Sequence, residues 1–110
     1  MGKLGYWQEC QLLRISNEKT TADHGKVVPC LYLELDISAR DANTHKALNK
    51  RFLVVRVLNK KIQSFVTRLE LPTWVNVRLY ASGFRDREKA NRFGSPLDVY
   101  EIIVLDDFNN

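Results

Sequence analysis

A chain of 110 residues with 45% hydrophobic residues is sized for one domain around one core, spanning the whole chain with its core over about 8–108, and leaves little room for two. Its net charge of +4 permits an anionic partner without demanding one. Cys10 and Cys30 sit in apolar runs and read as reduced, buried thiols. With no CxxC or HxxxH spacing, and with His24 and His45 far apart, neither a metal site nor a cofactor is expected.

The N-terminus, Met1 to Glu9, has no apolar stretch suited to a signal peptide. No segment approaches the roughly 20 apolar residues of a membrane span. A soluble, cytoplasmic protein with no membrane partner is expected.

In chain order, Gln8–Ile15 reads as a first strand. Ser16–Lys26 is polar, with Asp23-His24-Gly25 as turn residues. Val27–Ile37 alternates cleanly: Leu31, Leu33, Leu35 and Ile37 point one way, Cys30, Tyr32, Glu34 and Asp36 the other. Pro29 near its start marks an edge or a bulge. Ser38–Lys50 is a long polar loop. Arg51–Leu58 is a third strand, with Leu53, Val55 and Val57 inward and Phe52, Val54, Arg56 and Leu58 outward.

The period then changes. Ile62, Phe65, Val66 and Leu69 fall at i, i+3, i+4 and i+7, the stripe of a helix. Asn59 is placed to cap it and Pro72 to end it, with Gln63, Ser64, Thr67, Arg68 and Glu70 facing water. Trp74–Gly83 is a fourth strand: Val75, Val77, Leu79 and Ala81 inward, Trp74, Asn76, Arg78, Tyr80 and Ser82 outward. Phe84–Leu97 reads as a charged hairpin connection and Val99–Leu105 as a nearly all-apolar fifth strand. The order β-β-β-α-β-β, five antiparallel strands with a helix between the third and fourth, is the layout of an all-β, Greek-key OB-fold barrel.

Twelve of the seventeen basic residues fall in two stretches. Arg40, Lys46, Lys50, Arg51, Arg56, Lys60 and Lys61 lie between Ser38 and Lys61. Arg78, Arg85, Arg87, Lys89 and Arg92 lie between Arg78 and Arg92. Each alone would read as a solvated loop. OB-folds bind oligonucleotides across their second and third strands, flanked by loops, so this fold would make the two runs the walls of one groove.

The segment Arg51-Phe-Leu-Val-Val-Arg-Val-Leu-Asn-Lys-Lys-Ile-Gln-Ser-Phe-Val-Thr-Arg-Leu, followed by Trp74-Val-Asn-Val-Arg-Leu-Tyr-Ala-Ser-Gly-Phe, resembles the bacterial single-stranded-DNA-binding protein (SSB) family and the related primosomal PriB proteins. Val99-Tyr-Glu-Ile-Ile-Val-Leu-Asp-Asp-Phe resembles their closing strand. The usual fourth-strand glycine is not evident at Arg78-Leu79. A plan closer to PriB is expected, with no long Gly-, Pro- and Gln-rich tail of the SSB kind after the barrel. Asp106-Asp107-Phe108 echoes the tip of such a tail but lies too near the last strand to act as a tether.

The resemblance implies binding of single-stranded DNA, with RNA as the alternative, a homodimer or homotetramer, and replication or primosome proteins as partners in replication, replication restart or recombination. Such binding needs a cationic track for phosphates and flat side chains for bases. The cationic candidates are Arg40, Lys46, Lys50, Arg51, Arg56, Arg85, Arg87, Lys89 and Arg92. The stacking candidates are Tyr32, Phe52, Trp74, Tyr80, Phe84 and Phe93, foremost Phe93 among the basic residues of the connection. Trp74 and Phe84 could instead pack under the helix or in a subunit contact, and Trp7 on the barrel or a partner chain. Phe84–Phe93 is expected to be a cationic arm, poorly ordered without ligand. No nucleophile with a base, paired catalytic carboxylates or Gly-rich phosphate loop is found, so no enzyme is expected. A protein-interaction module of the same fold with no nucleic-acid ligand is the competing reading.

Overall fold

Apolar alternation of period two dictates strands, and these strands close on themselves. The structure, a computed structural model, describes residues 5–44, 46–81 and 97–105, the side chain of Ala81 excepted. In chain order the elements are β1 (Tyr6–Ile15), β2 (Lys19–Asp23), β3 (Lys26–Asp36), β4 (Phe52–Val57), α1 (Lys60–Val66), β5 (Thr73–Ala81) and β6 (Leu97–Val104). The sheet order β1-β5-β6-β4-β3-β2 gains a further β1–β3 pairing. That pairing closes a ring of five strands, the OB-fold barrel.

β1 can serve two neighbours because it bends. It pairs with β5 from Tyr6 to Leu12, then with β3 from Gln11 to Ile15, with the register shifting between Leu12 and Arg14. One extra residue at such a bulge turns the strand. The barrel is closed on its other side by β4 and β6, which run parallel through Val55↔Leu97 and Arg56↔Asp98. The expectation of five antiparallel strands is corrected twice here. One pair is parallel, and a sixth strand, β2, lies in the segment expected to be loop.

β2 and β3 form a hairpin on Asp23-His24-Gly25-Lys26. His24 (φ 50°) and Gly25 (φ 78°) are both left-handed, as a tight two-residue turn of right-twisted strands requires. Pro29 pairs with Thr20 of β2. Its other side precedes the β4 ladder, which starts at Leu31, so its missing N–H interrupts nothing there.

The core is Cys10, Leu12, Leu31, Leu33, Leu35, Val55, Val57, Val66, Val75, Val77, Leu79 and Val99, and its members on β3, β4 and β5 are inward positions expected from alternation. α1 caps this core with Val66, helped by Ile62 and Leu69. The Asn59 side chain accepts from the N–H groups of Lys61 and Ile62 at 2.9 and 3.1 Å, which satisfies two orphan donors of the first turn. Two helix positions are reversed from expectation. Phe65 is exposed. Gln63 turns in and donates from its amide to the carbonyls of Val57 and Pro29 at 3.0 and 3.3 Å. Those carbonyls lie at the end of β4 and in the part of β3 that β4 does not pair with, so a polar side chain serves them better than an aromatic one. Cys30, on the strand face opposite Leu31 and Leu33, is buried, as expected from its apolar run.

Candidate nucleic-acid interface

The outer face of β3 and β4 is built from side-chain rows fixed by register. Asp36 faces Phe52, Glu34 faces Val54 and Tyr32 faces Arg56. β1 extends two of these rows, Gln11 beside Asp36 and Arg14 beside Glu34. Phe52 and Val54 are 54% and 58% exposed, a large apolar offering on a barrel with a complete core beneath it. Tyr32 is half-buried and lines a shallow depression of about 300 Å³ with Arg14, Glu34 and Val54.

The Ser38–Lys50 segment borders this face and is tied down at both ends. Ser38 Oγ accepts from the Arg51 N–H at 2.8 Å, the Leu48 N–H donates to the Ala39 carbonyl at 2.8 Å, and Arg40 bridges to Ala47. Lys46, Lys50 and Arg51 are exposed. Arg40 folds back onto the sheet instead. Its guanidinium meets Asp36 at 2.6 Å and lies 5.1 Å from the centre of the Trp74 ring. Burial alone would raise the Asp36 carboxyl, but hydrogen bonds from Ser38 and the Arg40 guanidinium outweigh it and hold Asp36 below its ordinary value. Trp74, half-buried, therefore packs against an arginine at the border of the β3–β4 face.

Arg56, expected to be a groove cation, is corrected: it is 3% exposed. Its Nε and Nη2 grip Asp98 at 2.7 and 3.1 Å, and Nη1 donates to Thr21 Oγ1 at 2.8 Å. An arginine so enclosed has no face left for a phosphate. Tyr80 is displaced as well. It sits edge-to-face with Tyr100 at 5.8 Å, on the outer face of β1, β5 and β6. Phe84, Arg85, Arg87, Lys89, Arg92 and Phe93 lie outside the described residues. The structure thus gathers Tyr32, Phe52, Trp74, Arg40, Lys46, Lys50 and Arg51 on or beside one face, and sets Tyr80 apart.

That second face holds a cluster that sequence reading missed. Arg78, 4% exposed, has its guanidinium 4.1 Å from the Tyr100 ring centre and 5.9 Å from that of Trp7, and pairs with Glu101 at 2.8 Å. The register of β6 slips by one residue opposite Arg78 and Leu79. Tyr100 is the extra residue, so Tyr100 and Glu101 both project outward. The signal available was the charge of Arg78 amid apolar neighbours, which requires a partner once buried.

Among the described residues no group of three His, Cys, Asp or Glu side chains is placed to hold a metal ion, and no helix is long and apolar enough to cross a membrane. Cys10 and Cys30 are buried and form no disulfide. Burial, with Asp36 adding to it, pushes the Cys10 thiol up to about 12, so it is not a nucleophile at neutral pH.

No protein-family model and no curated protein matches the chain. Among solved structures it is similar to the small single-stranded DNA-binding protein from Streptomyces coelicolor, with a TM-score of 0.54 and 15% identity over 96% of this chain and 95% of that one. At that identity the likeness establishes the fold.

Proposed function

We propose that this protein binds single-stranded DNA, without catalysis, across the outer face of β3 and β4. The observation that carries the reading is the exposure of Phe52 and Val54 beside Tyr32, on the face that OB-folds use for oligonucleotides, with Lys46, Lys50 and Arg51 along its border. Bases stack on the apolar surface while phosphates follow the cations. Likeness in fold to a protein that binds single-stranded DNA supports the same reading. On this proposal the protein acts in replication, replication restart or recombination, in the cytoplasm. Fluorescence anisotropy with a labelled mixed-sequence strand, competed by the strand or by a matched hairpin, tests it. Displacement by the strand alone is expected, and equal competition by the duplex rejects it.

The face of β1, β5 and β6 supports a second role, self-association. Trp7, Tyr100 and Ile103 are about half exposed on it, around an arginine already neutralised by Glu101. A surface of aromatic rings with its charge paired suits a protein partner better than a phosphate chain, and a second copy of this chain is the partner proposed.

A further inference from the structure

The β3–β4 face carries a feature that stacking alone does not use. In the middle of it stands an ion pair, Arg14 to Glu34, with Nε to Oε2 at 3.1 Å and Nη2 to Oε1 at 3.5 Å. The two residues are register partners across β1 and β3, and Val54 is the register partner of Glu34 on β4. This row of Arg14, Glu34 and Val54 forms one side of the 300 Å³ depression, and Tyr32 forms another. Phe52 lies two residues from Val54 on the same strand face. A flat apolar seat therefore has a carboxylate and a guanidinium set side by side in its wall.

A carboxylate, even one paired with an arginine, offers a phosphate no donor, so Glu34 is a poor seat for the backbone. What can approach it is the donor edge of a base. A carboxylate only accepts hydrogen bonds and a guanidinium only donates them, and neither is saturated by the other: roughly four lone-pair sites stand on one and five N–H groups on the other. The adjacent pair is complementary to a base edge that offers an amino donor next to a ring or carbonyl acceptor. Cytosine has this arrangement in its N4 amino group and N3. Uracil and thymine in the same pose put a carbonyl where the amino group would be, with that oxygen facing the carboxylate, and can engage the pair only by sliding so that N3–H meets Glu34 and a carbonyl meets Arg14. Arg14, with its side chain 78% exposed, can adjust to the acceptor while Glu34, more enclosed, stays fixed.

We infer that the Arg14–Glu34 pair is a base-reading subsite that favours a base with an exocyclic amino group over uracil or thymine. The inference rests on the proposed single-strand binding and names a preference within it. Its test compares oligomers of deoxycytidine and deoxyuridine of about 12 nucleotides, a length within the reach of one OB-fold. They share ring size and backbone and differ at the edge in question. The deoxycytidine strand is expected to bind tighter by at least about fivefold, the low end of a bidentate base contact. In Glu34→Gln the side-chain amide both donates and accepts, so the ratio should fall to near one while binding persists. Arg14→Gln, at a far more exposed position, should lower the ratio in the same direction. Equal affinity of the wild-type protein for both strands, or a preference that survives both substitutions, overturns the subsite and leaves single-strand binding standing. Failure to bind either strand at low salt overturns both.

Discussion

Arg56 and Asp98 face each other across the parallel closure of the barrel and are joined by two parallel hydrogen bonds, at 2.7 and 3.1 Å, with both side chains buried. Arg56 also donates to the Thr21 hydroxyl and the Ala22 carbonyl. One side chain thus ties β4 to β6 and to the hairpin strand β2. Parallel β4–β6 pairing spans only two residue pairs, so the ion pair supplies much of the specificity of that seam.

Removing one partner leaves the other charged and enclosed. Arg56→Ala should cost about 3–5 kcal/mol of stability, read as a lower urea midpoint. Arg56→Met with Asp98→Leu removes both charges and should recover most of that loss. A double variant as unstable as the single one would show that the seam depends on the charges themselves.

This pair also marks where the sequence stops being legible. The strands of the ring, their inward faces and the Asn59 cap follow from periodicity and from local hydrogen bonding, both written in neighbouring residues. The partner of Arg56 is 42 positions away, and no local pattern names it. β2 escaped notice for a related reason: Lys19–Asp23 has no buried residue, because it pairs beyond the barrel and faces no core. On the site side, Phe52 and Tyr32 were readable as outward aromatics. The placing of Tyr80 with Tyr100 was not, since a bulge in β6 decides it.

Phe52 is exposed enough for its roles in folding and binding to separate. Phe52→Ala should change stability by less than about 0.5 kcal/mol, as exposed positions do. It should weaken single-strand binding by about 1–3 kcal/mol with an unchanged salt slope, because stacking releases no counterions. A loss of affinity accompanied by a flatter slope would mean that the substitution had disturbed the phosphate track instead.

The cations divide into two sets that titrations can compare. Each phosphate contact of a single strand contributes about 0.7 to the slope of log K against log salt. Replacing Lys46, Lys50 and Arg51 by Ala should flatten the slope by about 2. The same experiment on Arg85, Arg87, Lys89 and Arg92 asks whether the second basic stretch shares the groove. A wild-type slope in that folded quadruple variant would confine the phosphate track to the segment from Ser38 to Lys61.

Asp36 gives the fold a dependence on acid. Its carboxyl is held below its ordinary 3.8 in the folded protein, so the folded state binds this proton less readily than the unfolded chain does. The resulting stability is complete above the unfolded value and is lost as pH falls through the folded one. Asp36→Asn should therefore flatten the acid limb of a plot of stability against pH, lowering stability by a constant amount above the unfolded value and converging with the wild type in acid. An acid limb of wild-type steepness would assign that limb to other carboxylates.

Self-association should depend on the face of β1, β5 and β6. Trp7 and Tyr100 together cover the Arg78 guanidinium, and Ile103 continues the face one row along, opposite Asn76. Tyr100 and Ile103 are each 50% exposed, so their outer surfaces contribute little to the folded monomer. A charge at either position should leave the buried core of the barrel intact, at the cost of uncovering Arg78 where lysine replaces Tyr100, but place a desolvated ammonium inside a contact between two copies. We expect sedimentation at tens of micromolar protein to show a dimer for the wild type, twice the 12.8 kDa of one chain, and a monomer for Tyr100→Lys with Ile103→Lys. Single-strand binding per chain should survive in that variant, because Phe52, Val54 and the Arg14–Glu34 pair lie on the other face. A wild-type particle of one chain at those concentrations rejects the dimer. A dimer that persists in the double variant moves its interface elsewhere, with the exposed Phe65 of α1 as the next apolar group to test.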